Sequence, residues 1–127
     1  MQTLASSPIA VGAAAGIASE RPIDLVHLAR MSLGDRSLER EVLQLFVCQA
    51  AVLLQRMEDA GPPEVAMLAH TLKGAAQGTG AWRVATAAEA LEVATAGDAA
   101  ALARALAALS GAVAEASAII ADLLRAH

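Results

Sequence analysis

The stretch AAALARALAALSGAVAEASAIIADLLRA, residues 99–126, repeats its apolar side chains at steps of three and four residues. Its inward-facing positions form one stripe: Leu102, Leu106, Leu109, Val113, Ala116, Ile120 and Leu123. This is the period of an α-helix with one buried face, whereas a half-buried strand alternates every second residue. The stretch therefore predicts a long amphipathic helix that must pack against other helices.

Comparable patterns, separated by turn signals, extend back to residue 24. They predict a short helix near 24–31 and long helices near 37–60, 63–78 and 81–96, followed by the one near 99–126. Glycine or proline marks each break, and Asp24 lies near the start of the first helix. Asp35 or Ser37 can cap the second helix, and Asp98 is a suitable N-cap of the last. Long amphipathic helices with short connections predict an all-α fold, an antiparallel four-helix bundle with a short extra N-terminal helix.

Composition and charge agree with that class and exclude others. Aromatic residues make up only 2% of the 127 residues, whereas β-sheets are enriched in aromatic residues. The formal net charge is -4 and no basic stripe is present, which argues against nucleic-acid binding. Cys48 is the only cysteine, so an intramolecular disulfide and a cysteine-based zinc site are excluded. Its spacing within the second helix predicts a buried, inert thiol.

The N-terminal segment differs from the rest of the chain. Residues 1–22 are predicted to be a flexible or loosely packed extension, and residues 23–127 the bundle. The apolar stretch 9–18 is about half as long as a membrane span, and no lysine or arginine precedes Arg21. No other run is expected to be long and apolar enough to span a membrane. A cytoplasmic protein without membrane association is therefore expected.

The stretch AHTLKGAAQGTGA, residues 69–81, contains the candidate site. A helical wheel places His70 opposite the predicted core stripe of Leu68, Leu72, Ala75, Ala76 and Thr79. Lys73 lies one turn from His70, and Gly74 and Gln77 flank it. Glycine destabilises an exposed helix by about 1 kcal/mol relative to alanine, so Gly74 predicts that a bulky group approaches the imidazole. These residues predict a histidine that accepts a phosphoryl group from another protein.

Residues 69–92, AHTLKGAAQGTGAWRVATAAEALE, resemble the signature of histidine-containing phosphotransfer (HPt) domains. The shared features are the H-x-L-K-G core, a glycine ten residues after the histidine and a following helix that ends in Leu-Glu, here Leu91 and Glu92. The resemblance covers roughly residues 23–124. One departure is Ala75, where the family often has a serine.

The resemblance implies a role for each matched position. His70 is the expected phosphoacceptor, and Lys73 is expected to neutralise phosphoryl charge. The receiver-facing surface around His70 is expected to comprise Gly74, Gln77, Met67 and Ala66.

The implied function is a relay of a phosphoryl group between His70 and the aspartate of response-regulator receiver domains. A hybrid histidine kinase is a further candidate partner. Mg²⁺ is expected on the receiver, with no metal or cofactor in this chain. The chain contains no Gly-rich phosphate loop, so it is not expected to phosphorylate itself from ATP. It is expected to be a monomeric phosphocarrier.

Two other functions fit the same pattern. In the first, the bundle is a non-catalytic helical adaptor that binds a receiver or another signalling protein without carrying phosphate. In the second, the chain is a dimerising fragment of a histidine kinase, in which two chains complete one bundle. Five helical segments in one chain argue against the second, because this chain can close a bundle by itself.

Overall fold

The computed structural model describes residues 21–126, which form five helices and, within that range, no strand. The helices are α1 (Leu25–Met31), α2 (Arg36–Glu58), α3 (Pro62–Thr79), α4 (Trp82–Ala94) and α5 (Ala99–Ala126). Every bound lies within two residues of the predicted one. The all-α class is confirmed. The predicted N-terminal extension, residues 1–22, lies almost entirely outside the described residues.

The helix ends follow from local turn chemistry. The side chains of Asp24 and Asp35 each accept a hydrogen bond from a backbone N–H at 3.1 Å, in the first turns of α1 and α2. Asp98 does the same at 2.8 Å for α5. Gly80 ends α3 with a φ of 87°, a conformation that residues with a Cβ rarely adopt. These short connections reverse the chain and make successive helices antiparallel.

The four long helices close into a ring around one apolar core. α2 packs against α3, α3 against α4, α4 against α5, and α5 against α2, while α1 packs against α3. Each long helix contributes fully or nearly fully buried side chains, among them Phe46, Met57, Leu72, Val84, Leu91, Leu109 and Ile120. One chain therefore completes the bundle and presents one face of each long helix to solvent.

α1 is held across the turn between α3 and α4 by Asp24. The backbone N–H of Asp24 donates to the carbonyl of Gly80 at 2.8 Å, and the carboxylate of Asp24 accepts from the indole N–H of Trp82 at 2.8 Å. The hydrogen bond from Trp82 is the main reason that the pKa of Asp24 lies below its ordinary value. The carboxylate thus stabilises the attachment of α1 while it is ionised.

Apolar spacing in α2 predicts an inner face that is only partly correct, namely Leu38, Val42, Leu45, Phe46, Leu53 and Met57. Phe46, Leu53 and Met57 are buried as expected, but Leu45 is 68% exposed, and the predicted buried Cys48 is exposed. Apolar residues occupy most of the circumference of α2, so spacing alone does not select the buried face. In the bundle, that face is the line of Leu43, Phe46, Ala50, Leu53 and Met57.

The expectation that no further run is long and apolar enough to span a membrane is also wrong for α5. Ala99–Ala126 meets that criterion by length and by a mean hydropathy of 1.6. Much of this hydropathy comes from alanine, and the helix contributes Leu109, Val113, Ala116 and Ile120 to the core. Since 22% of its most apolar 18-residue window is buried in the bundle, packing accounts for only part of the apolar character of α5.

Candidate functional site

His70 lies on the outer face of α3. Its side chain is 68% exposed, whereas Leu68 and Leu72, two positions to either side, are 8% and 0% exposed. The predicted exposure of the imidazole and the predicted burial of both leucines are confirmed. The helix thus holds His70 on a rigid backbone and leaves its ring accessible to another molecule.

The imidazole contacts a carboxylate on the neighbouring helix. Nδ1 of His70 lies 3.2 Å from Oε2 and 3.4 Å from Oε1 of Glu92, in the last turn of α4. The same carboxylate forms an ion pair with Lys73, whose Nζ lies 3.3 Å from Oε1. Glu92 therefore contacts both His70 and Lys73, which lie one turn apart on α3.

The charge state of Glu92 decides which nitrogen of His70 is free. Partial burial acts to raise the pKa of Glu92, but hydrogen bonds from Lys73 and His70 and their charges outweigh it, and the pKa lies below the ordinary value of 4.5. Glu92 is therefore ionised at neutral pH and can only accept a hydrogen bond. Nδ1 must then carry the proton, which leaves the lone pair of the neutral ring on Nε2.

Nε2 is the available nucleophile of this site. It makes no hydrogen bond to any residue in the range 21–126 and belongs to the most exposed side chain of the cluster. A neutral imidazole nitrogen with a free lone pair can attack phosphorus or another electrophile. The arrangement supplies an oriented, accessible nitrogen with a carboxylate behind it.

Comparison with known proteins decides the family. A family model described as the Hpt domain matches residues 41–123, which is most of the chain. The chain belongs to the Hpt domain family. No curated protein and no solved structure gives a significant match. The match begins within α2, so α1 lies outside it.

Membership implies histidine phosphotransfer in two-component signalling, and Hpt domains interact with receiver domains and kinases. The roles of individual residues in this Hpt domain remain predictions. Within residues 21–126, no three His, Cys, Asp or Glu side chains are grouped so that they could hold a metal ion.

The structure brings only some of the predicted site residues together. Ala66, Met67 and His70 line one shallow depression, together with Thr71 and Glu92. Met67 is 69% exposed at its edge. The depression thus includes two residues, Thr71 and Glu92, that were not among the predicted site residues.

Gly74 and Gln77 lie on the exposed face of α3 but do not line this depression. Gly74 instead lines a neighbouring groove between α2 and α3. A Cβ added to Gly74 would meet no atom within 4 Å, so packing does not require the glycine. Ala75, the departure from the family pattern, is half-buried against the core.

Glu92 is the main residue that sequence reasoning missed. Its signal was present, because Leu91 and Glu92 complete the family pattern, but it lies 22 positions from His70 in the sequence. Helical spacing connects residues within one helix and does not show which residues of two helices meet. Only the packing of α3 against α4 identifies Glu92 as the partner of both His70 and Lys73.

Proposed function

We propose that this Hpt domain relays a phosphoryl group between Nε2 of His70 and the active-site aspartate of response-regulator receiver domains. The observation that supports this most directly is the exposed imidazole whose Nδ1 faces an ionised carboxylate and whose Nε2 is free. The family supports the class of reaction, and the site supports His70 as the acceptor.

The transfer is an in-line displacement at phosphorus. The lone pair of Nε2 attacks the phosphorus of the receiver's aspartyl phosphate, the P–N bond forms and the P–O bond to the aspartate breaks. The aspartate leaves as a carboxylate, and the ring becomes a phosphoimidazolium that retains its proton on Nδ1. The reverse step returns the phosphoryl group to a receiver. Phosphoryl transfer depends chiefly on positioning and charge stabilisation, both of which this site offers.

Glu92 acts as a positioning residue in both directions of the phosphoryl transfer. As Nε2 attacks, positive charge develops on the ring, and a carboxylate 3.2 Å from Nδ1 stabilises it. In the reverse direction, Glu92 retains the proton on Nδ1, so that a neutral imidazole leaves instead of an imidazolate. The hydrogen bond also fixes the ring so that Nε2 faces solvent.

Lys73 contributes positive charge to the phosphoryl group and gives up part or all of its contact with Glu92. Its side chain is 21% exposed and forms an ion pair with Glu92. An incoming phosphoryl group carries oxygens that compete for the same ammonium. Lys73 therefore bridges the two anions or moves from the carboxylate to the phosphoryl group.

The proposal includes the surroundings of the reaction. The partners are receiver domains and, as a second candidate, a hybrid histidine kinase, and the Mg²⁺ belongs to the receiver. The chain acts in the cytoplasm as a monomer, and Gly74, Gln77, Met67 and Ala66 form the face that meets the receiver.

A phosphotransfer assay tests the proposal. Each receiver domain of the organism is phosphorylated with a small-molecule donor, mixed with the chain, and the protein-bound label is followed over time. We expect at least one receiver to label wild type and none to label His70→Gln. Label on His70→Gln, or no label on wild type from any receiver, would refute the assignment.

The same experiment distinguishes the phosphotransfer proposal from the adaptor hypothesis. An adaptor binds a receiver with the same affinity whether or not His70 is present, and it never acquires label. The kinase-fragment hypothesis requires a dimer in solution. Since one chain closes its own ring of four helices, we expect the mass of a monomer by light scattering.

A further inference from the structure

Exposed apolar side chains are concentrated around α1. Of the nine large apolar side chains that are exposed among residues 21–126, five lie on α1, on the turn that follows it and in the first turn of α2. We call these five the α1 patch: Leu25, Val26, Met31, Leu33 and Leu38. Leu33 is 93% exposed and the other four are 40–63% exposed. The patch therefore leaves apolar surface in contact with water, which a contact with another segment would bury.

Leu33 also strains the backbone of its own turn. Its φ is 55°, and among the described residues it is the only residue other than glycine with a positive φ. Left-handed backbone disfavours a residue with a Cβ, and glycine or asparagine would adopt it at lower cost. Because the side chain is almost fully exposed, burial in residues 21–126 does not offset this strain. A contact made from outside those residues would account for the leucine.

The α1 patch lies outside the part of the chain that the family model matches. The match covers residues 41–123, and the last residue of the patch is Leu38. The features that define the Hpt domain therefore do not explain the patch. The occupant is to be sought in what is particular to this chain.

The N-terminal segment, residues 1–20, has the composition that such a patch would bind. It carries the large apolar residues Ile9, Val11 and Ile17, and residues 1–19 include no charged side chain. A neutral segment gains little from ion pairs, and burial of these three side chains is its main source of binding free energy. The patch offers the same kind of interaction, because all five of its side chains are apolar.

The chain connects this segment directly to the patch. Ile23 is buried and the backbone N–H of Asp24 donates to the carbonyl of Gly80, so the chain is anchored two residues before Leu25. Ile17 precedes Leu25 by eight positions, and eight extended residues span about 25 Å, whereas α1 is about 10 Å long. A short tether of this kind costs little loop entropy and gives an effective concentration in the millimolar range. A second copy of the chain would have to compete with that concentration.

We propose that Ile9, Val11 and Ile17 of the N-terminal segment pack on the α1 patch of the same chain, with Leu33 as the principal contact. The segment then shields the patch from other chains and favours the monomer. The contact involves neither His70 nor phosphoryl transfer, so it goes beyond the proposed function, and either proposal can fail without the other.

Methyl NMR on the full-length chain tests the contact directly. We expect nuclear Overhauser effects between the methyl groups of Ile9, Val11 or Ile17 and those of the α1 patch. Mixing labelled with unlabelled chain and filtering by isotope distinguishes contacts within one chain from contacts between two. Replacing Ile9, Val11 and Ile17 together with serine should shift the Leu33 methyl resonances, whereas replacing Ala10, Ala13 and Ala18 with serine, the matched control, should leave them in place.

Limited digestion with elastase, which cuts after small apolar residues, measures the fraction of chains in which the segment is bound. Leu33→Asn removes the principal contact and keeps a residue that tolerates the left-handed backbone, so the turn should still form. We expect it to speed cleavage within residues 9–18 by about five- to tenfold, as for partial burial of one leucine side chain. Val93→Asn is the control, because Val93 is an exposed apolar residue on α4, outside the patch, and this variant should be cleaved like wild type.

Three results would overturn the proposal. Equal cleavage rates for Leu33→Asn and wild type, or no Overhauser effect between the segment and the patch, would exclude the contact. Overhauser effects that arise only between labelled and unlabelled chains would identify a second copy as the occupant. Leu33 resonances that move equally in the two serine variants would show that the apolar residues of the segment are not what the patch binds. All three leave the phosphotransfer assay at His70 unaffected.

Discussion

Replacing Glu92 with glutamine tests the carboxylate behind the imidazole without changing its shape. The amide oxygen of glutamine still accepts a hydrogen bond from Nδ1 of His70, so the ring keeps its orientation. What is lost is the negative charge that stabilises the phosphoimidazolium and holds Lys73. The variant thus separates the electrostatic role of Glu92 from its geometric role.

The size of the effect follows from the exposure of the pair. A hydrogen bond to a charged partner contributes about 1 kcal/mol more than one to a neutral partner. The side chains of His70 and Glu92 are 68% and 28% exposed, so solvent screens the charge. A remaining difference of about 0.5–1 kcal/mol corresponds to transfer that is slower by a factor of about 2–5. Glu92→Ala, which also removes the orientation, should slow transfer by about tenfold.

The assay is single-turnover transfer from a phosphorylated receiver to His70, with Glu89→Gln as the control. Glu89 is exposed on the same helix and forms no ion pair with another residue in the range 21–126, and its substitution changes the net charge equally. A ¹⁵N spectrum of the imidazole reports the tautomer in each variant. If Glu92→Gln transfers as fast as Glu89→Gln, the carboxylate has no electrostatic role. If it transfers faster, Glu92 instead withholds Lys73 from the phosphoryl group.

Four further predictions follow from the structure. His70→Gln should abolish labelling by both the receiver and phosphoramidate, a small phosphoryl donor, while the thermal unfolding midpoint stays unchanged, and labelled variant protein would contradict this. Lys73→Ala should slow transfer or shorten the phosphohistidine lifetime without abolishing it, by about fivefold at low salt and less at high salt, because a partly exposed pair contributes about 1 kcal/mol; wild-type rates at low salt would remove Lys73 from the site. Gly74→Ala should raise the free energy of unfolding by up to about 1 kcal/mol in urea, since its Cβ meets no atom within 4 Å, and a loss would show that packing needs the glycine. The pKa of Asp24 is lowered from 3.8 chiefly by the hydrogen bond from Trp82. The stability that the ionised carboxylate contributes is therefore present above pH 3.8 and is lost as the pH falls through the folded-state pKa. Trp82→Phe should move the titration of the Asp24 carboxyl, followed by NMR, upward toward 3.8, and an unmoved titration would contradict the assignment.

The helices and the exposure of His70 could be predicted from the sequence because both depend on local rules. Apolar spacing sets the period, and aspartate, glycine and proline set the ends, as at Asp35 and Gly80. On α3, apolar residues occupy one clear stripe, so the wheel placed His70 on the opposite face. The family signature lies in this same segment, which is why the expected function was available from one helix and its flanks.

Which residues of neighbouring helices contact each other could not be predicted from the sequence and is known only from the tertiary structure. On α2, where apolar residues cover most of the surface, only packing selects the buried line and leaves Leu45 and Cys48 exposed. The pairing of Glu92 with His70 and Lys73 likewise depends on how α3 and α4 are rotated against each other. A helical period fixes which residues of one helix share a face. The register and rotation of two helices are fixed by the fit of their side chains, and that fit creates the site.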